Sequence, residues 1–158
     1  MKNLIINKFP LFLIGMILVS CGDSPLFTKS VAFPNNTWTV DNKPKFVVEI
    51  QDTTKFYTVD ITVRTTTDYG YNNMWFFLYA ETPNGQNGRE PIEMKISNPD
   101  GSWVGEKSGT IVTTSVHFSH RKFPQKGKYK FTLEQGITEK AIPEVLDISY
   151  TVKEDPKK

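Results

Sequence analysis

Phe56-Tyr57-Thr58-Val59-Asp60-Ile61-Thr62-Val63-Arg64 decides the architecture. In an extended chain Tyr57, Val59, Ile61 and Val63 fall on one side, and Thr58, Asp60, Thr62 and Arg64 on the other. Alternation of this kind, rich in β-branched and aromatic side chains, marks a strand with one buried face. Lys128-Tyr129-Lys130-Phe131-Thr132-Leu133-Glu134 repeats the pattern more regularly still. Working outward, runs at 45–50, 92–96, 110–118 and 145–152 read as further strands, and 74–80 is a continuous apolar-aromatic run, as in a strand covered on both faces. The separators are turn chemistry: Asp41-Asn42-Lys43-Pro44, Pro83-Asn84-Gly85-Gln86-Asn87-Gly88, Asn98-Pro99-Asp100-Gly101 and Pro124-Gln125-Lys126-Gly127. No stretch carries an apolar stripe over three helical turns. The pattern predicts an all-β fold, an antiparallel β-sandwich of about seven to eight strands.

Before the first strand the chain has a different grammar. Lys2 and Lys8 precede the apolar run 11–19, and Leu18-Val19-Ser20-Cys21-Gly22 follows at once. A basic start, a short apolar run and small residues flanking a cysteine are the layout of a bacterial lipoprotein signal. The run is shorter than the roughly 20 residues a spanning helix needs. The expected organisation is a cleaved signal at 1–20, a lipid-anchored tether and first strand at 21–39, the β-sandwich at 40–153 and a polar tail at 154–158. Cys21, the only cysteine, is the expected lipidation site, with acyl chains on its sulfur and amine holding the protein on a membrane. No disulfide is then available, and packing of the 20 aromatic residues (Phe 11, Tyr 6, Trp 3) must hold the core.

The signal contains two of the 19 Lys+Arg and none of the 17 Asp+Glu, so the mature chain is formally neutral. With no long block of like charge either, nucleic acid is set aside as a partner. His117 and His120, three residues apart, would point to opposite faces of a straight strand and lack the convergent ligands a zinc site needs. Neither a Gly-x-Ser-x-Gly elbow nor a phosphate-binding glycine loop occurs. No catalytic, cofactor-binding or metal-binding residue is assigned, and no enzyme activity is expected. The remaining chemistry is aromatic. Tyr69, Tyr71 and Trp103 stand beside asparagines and glycines, as in sugar-stacking or protein-docking surfaces, and are the candidate interaction surface. Trp75, Phe76 and Phe77 are assigned to the core.

Four motifs carry a family resemblance. Trp38 follows the lipobox cysteine after a short spacer. A strand ending in Val63-Arg64 leads to Tyr69-Gly70-Tyr71-Asn72-Asn73-Met74. Then come Asp100-Gly101-Ser102-Trp103-Val104-Gly105 and Phe123-Pro124-Gln125-Lys126-Gly127-Lys128-Tyr129-Lys130-Phe131-Thr132-Leu133-Glu134-Gln135. In this order they resemble the GldH-type gliding-motility lipoproteins of the Bacteroidetes across nearly all of the mature domain. Gly136-Ile137-Thr138, where the family runs on with Met-Arg, marks a divergent member. The resemblance implies a non-catalytic envelope lipoprotein that works with other gliding proteins and with the linked type IX secretion machinery. It supplies no cofactor and no site residue beyond the cysteine. Gly22-Asp23-Ser24 lacks an acidic run after the cysteine, which points to an outer-membrane anchor facing the periplasm. The alternative partner is a glycan stacked on the exposed aromatics.

Overall fold

The structure, a computed structural model, describes residues 24–155. The expected signal, Cys21 and the last three residues lie outside them. Among the described residues eleven strands alternate with turns: β1 (Phe27–Ala32), β2 (Thr37–Thr39), β3 (Lys45–Ile50), β4 (Tyr57–Thr66), β5 (Asn73–Glu81), β6 (Asn87–Lys95), β7 (Glu106–Ser108), β8 (Ile111–Arg121), β9 (Gly127–Gln135), β10 (Ala141–Pro143) and β11 (Val145–Glu154). A five-stranded sheet, β1-β11-β4-β8-β7, packs against a four-stranded sheet, β3-β9-β5-β6, and β10-β2 form a separate two-stranded sheet. Every named pair is antiparallel.

Period two does the sorting. Tyr57, Val59, Ile61 and Val63 of β4 are buried, as are Tyr129, Phe131 and Leu133 of β9 and Ile148, Tyr150 and Val152 of β11. Between the sheets Tyr150 stacks on Phe46 at 5.3 Å and on Phe131 at 4.9 Å, and Phe123 meets Tyr57 and Tyr129 edge-on at 5.3 and 4.9 Å. Rings at these separations gain offset-stacked and edge-to-face contact beyond the area they bury. Burial also pushes the Tyr150 phenol well above its ordinary pKa.

A first strand was expected within 21–39, and β1 supplies it, at a sheet edge and burying little. The strands not expected are β2, β7 and β10, each only three residues long and too short to show a period. β1 and β2 draw residues 27–39 into the sandwich: Trp38 pairs opposite Ile142, stacks on Phe33 at 5.1 Å and donates its indole N–H to Asn42 O at 2.8 Å. The motif tryptophan is therefore a core residue.

Other motif residues also have structural work. Arg64 lies opposite Asp147 and grips its buried carboxylate with Nε (3.0 and 2.9 Å) and a terminal nitrogen, a paired fork geometry. Tyr129 Oη accepts from Gln125 N and donates to Gln125 O, both at 3.0 Å, pinning the turn that precedes its own strand. Gln135 donates to Glu139 O at 2.8 Å and accepts from Ile137 N at 3.2 Å, closing the turn that follows.

Candidate interaction surfaces

Three places on the sandwich gather exposed or charged chemistry. The first holds the predicted aromatics, at the end where β4 and β6 finish. Tyr69 is buried (6% exposed), and its hydroxyl donates to Asn73 O at 3.0 Å. Burial, then the neighbouring Tyr71, pushes its phenol well above the ordinary range. Tyr71 stands over it edge-on at 5.6 Å and is 43% exposed. Trp103 is half-buried against the core and bridges to Ser97. Asn72 O accepts from Ile96 N (2.9 Å) and Ser97 N (3.0 Å), tying the tyrosine loop to the segment after β6 that bridges to Trp103. The three thus share one end of the sandwich, but only Tyr71 presents a ring to solvent, with Val104 exposed nearby in sequence. Tyr69 is a support beneath it.

The Asp100–Gly105 motif explains how Trp103 is held. Gly101, at φ +83°, completes a turn with Gly101 N donating to Asn98 O at 2.9 Å. Asp100 Oδ1 accepts from Ser102 N (3.0 Å) and Ser102 Oγ (2.7 Å), and the Ser102 hydroxyl followed by its amide holds that carboxyl below its usual pKa. Gly105 lies so near β8 that a Cβ there would sit 2.2 Å from Thr113 O.

The second place corrects the reading of β5. The run 74–80 is not covered on both faces. Met74, Phe76, Leu78 and Ala80 face the core, whereas Trp75, Phe77 and Tyr79 project from the outer face of the four-stranded sheet. Of the three residues assigned to the core only Phe76 is there; Trp75 is 40% exposed and Phe77 half-buried. The neighbouring strand supplies their cover: Arg89 of β6 lies over Phe77 at 3.6 Å and 5.5 Å from Tyr79. Past Tyr79 this face continues as a groove of about 380 Å³ lined by Lys45, Val47, Glu81, Asn87, Lys130 and Thr132 among others. The missed signal was in the partner strand, where Arg89, Pro91 and Glu93 alternate with Gly88, Glu90, Ile92 and Met94, a one-sided pattern from Pro91 onward that no doubly covered sheet would carry.

The third place is charged. Asp60 of β4 is buried and accepts from His117 Nδ1 at 2.7 Å and Lys153 Nζ at 3.1 Å, on strands either side. Burial alone would raise the Asp60 carboxyl; hydrogen bonds from His117 and Lys153 outweigh it and hold the group below its usual pKa. His120 lies instead beside Asp155, at 3.5 Å. The two histidines pair with different acids, and no group of three His, Cys, Asp or Glu converges among the described residues. Sequence could not show these cross-strand partners, because register decides them.

Comparison with known proteins agrees with the motifs. The family model described as GldH lipoprotein matches residues 26–152. The chain is 28% identical over 158 residues to the gliding motility lipoprotein GldH of Flavobacterium johnsoniae, covering 94% of this chain and 96% of that one. It is 28% identical over 101 residues to a GldH homolog of Christiangramia forsetii, covering 63% and 62%. Among solved structures, the EclA C-terminal domain, a sugar-binding protein, aligns over 97% of this chain and 99% of its own at 13% identity and a TM-score of 0.39. Eiger TNF from S. frugiperda aligns over 71% and 67% at 12% identity and a TM-score of 0.38. Likenesses this weak carry no functional argument.

Proposed function

Because the chain belongs to the GldH lipoprotein family, whose relatives serve gliding motility, we propose that it is a non-catalytic assembly component of the gliding apparatus and of the type IX secretion machinery linked to it. In this reading Cys21 carries the lipid, the anchor lies in the outer membrane, and the domain faces the periplasm. One observation supports an assembly role over a purely structural one: the outer face of the four-stranded sheet shows Trp75, Phe77 and Tyr79 in a row with Arg89 laid across it. Tryptophan, tyrosine and arginine are the residue types that dominate binding energy at protein interfaces. A guanidinium already seated on the rings also needs little ordering when a partner arrives. The partner fitted to this face is another envelope protein of the same apparatus.

The groove beside Tyr79 supports a second reading. One aromatic wall and several hydrogen-bonding side chains suit a saccharide ring, so a glycan would use this groove rather than the Tyr71 loop. In-cell cross-linking from position 75, with capture of the lipoprotein, separates the two. Gliding or secretion proteins in the wild-type adduct, absent with Cys21→Ala, are the expected outcome. Envelope polysaccharide without those proteins would replace assembly by glycan binding.

A further inference from the structure

The lipid reading has a geometric consequence for the opposite end of the sandwich. Phe27, the first residue of β1, is only six residue steps from Cys21. Fully extended they span at most about 20 Å. Phe27 lies opposite Val152, β11 runs on to Glu154 opposite Tyr57, and Tyr57 lies opposite Arg121. The end of the sandwich nearest the anchor is therefore formed by the turns 51–56, 82–86 and 122–126. Tyr71 and Trp103 are at the far end of β4 and β6, about 30 Å away along a ten-residue strand.

The near end has the chemistry of a membrane interface. Leu26, beside the tether, and Phe56 are large apolar side chains left 43% and 44% exposed. Lys122 Nζ lies 5.2 Å from the centre of the Phe56 ring, and His120 stands against the same ring at 5.6 Å. Three of the acids at this end are engaged by local partners, while Glu49 is exposed. Asp52 accepts from Thr54 N and Oγ1, Glu154 pairs with Lys55 at 2.6 Å, and Asp155 accepts from Thr58 and from His120 N. Lys122, Lys126 and Lys128 form no ion pair among the described residues. An exposed ring with an ammonium over it can enter the headgroup layer while the charge stays with phosphate.

We infer that this end of the domain, through Leu26, Phe56, Lys122 and Lys126, lies directly on an anionic phospholipid surface. The inference rests on lipidation at Cys21, and it adds that the domain is seated on the bilayer and does not swing freely above it. Seating would hold the Tyr71 end outward and turn the Trp75 face sideways. Basic groups near an anionic surface and a second membrane contact beside a lipid chain both favour such a seat.

The test is amide hydrogen exchange on the full mature lipoprotein reconstituted into vesicles of phosphatidylcholine with about one-third phosphatidylglycerol, compared with pure phosphatidylcholine. The mass of the N-terminal peptide reports acylation of Cys21 separately. We expect an acylated protein whose segments 51–56 and 120–127 exchange at least fivefold more slowly on anionic vesicles, while 67–72 and 97–105 change less than twofold. The double variant Phe56→Ser, Lys122→Gln should lose that protection yet stay acylated, with core amides of β4 and β9 exchanging as in wild type. Acylated protein with no protection at 51–56 and 120–127, or equal protection at both ends, would overturn the seat and leave the anchor standing. An unacylated Cys21 would overturn both.

Discussion

Replacing Gly105 by alanine should be the most damaging glycine substitution in the domain, for a reason visible in one distance. A Cβ at position 105 would fall 2.2 Å from Thr113 O, 2.5 Å from Thr114 Oγ1 and 2.7 Å from Thr113 C. Two of these atoms are backbone of β8, fixed in the ladders to β4 and β7, so no side chain can swing aside to make room. Either β8 shifts by about an ångström or the 97–105 segment lifts away. Overpacking usually costs about 1–3 kcal/mol, and a backbone obstacle puts this site near 3 kcal/mol. In a domain of this size that lowers Tm by roughly 10 °C. Two controls isolate the cause. Gly101 has open space but φ +83°, so Gly101→Ala should cost only the left-handed strain of about 1–2 kcal/mol. Gly70 has neither a contact nor a positive φ, and Gly70→Ala should be within about 0.5 kcal/mol of wild type. Urea unfolding of the exported domain, with unchanged m values, gives all three. Gly105→Ala no less stable than Gly70→Ala would refute the close approach and with it the structural reading of the Asp100–Gly105 motif.

Four further outcomes follow from the same geometry. Thr65 Oγ1 and Thr114 Oγ1 are buried with no hydrogen-bond partner, so Thr114→Val should raise stability by about 1 kcal/mol, measured by the same unfolding curves. Tyr129→Phe loses both bonds to Gln125 and should cost about 1–2 kcal/mol while the far-UV spectrum stays β-type. The Asp60 carboxyl is lower in pKa folded than unfolded, so its contribution is complete above the unfolded value of about 3.9 and is lost as pH falls through the folded one. Asp60→Asn should therefore flatten the acid limb of a stability–pH profile below about pH 4 and cost about 1–2 kcal/mol near neutrality, its partners being largely exposed. Trp75→Ala should leave Tm within a few degrees of wild type, because the ring lies on the outer face; a loss like that of a core tryptophan would place it inside.

How far the sequence reached depended on how many residues repeated a signal. β4 and β9 were legible because nine or ten residues alternate without interruption, and a one-residue slip would turn every core side chain outward. β2, β7 and β10 were not, since strands of three residues owe their place to partners distant in sequence, as Trp38 does to Ile142, and β1 was legible only as a first strand somewhere within 21–39. The family was legible in motifs whose work proved mainly structural: Trp38, Arg64, Gly105, Tyr129 and Gln135 each fix a turn, a sheet pair or the core. The candidate surface was only partly legible. Tyr71 is exposed, but its neighbour Tyr69 lies beneath it. The more open aromatic row, Trp75 with Phe77 and Tyr79, was hidden by hydrophobicity itself. Seven apolar residues in succession look doubly buried until the polar outer face of β6 is set beside them.

The most direct test of the account is gliding in the native host deleted for this chain and complemented with variants. Wild type should restore spreading. Cys21→Ala, and Trp75→Ala combined with Tyr79→Ala, should each fail to restore it, the double variant while accumulating in the envelope at normal level. Full spreading with Cys21→Ala would contradict the lipid anchor, and full spreading with the double variant would contradict docking through the aromatic face.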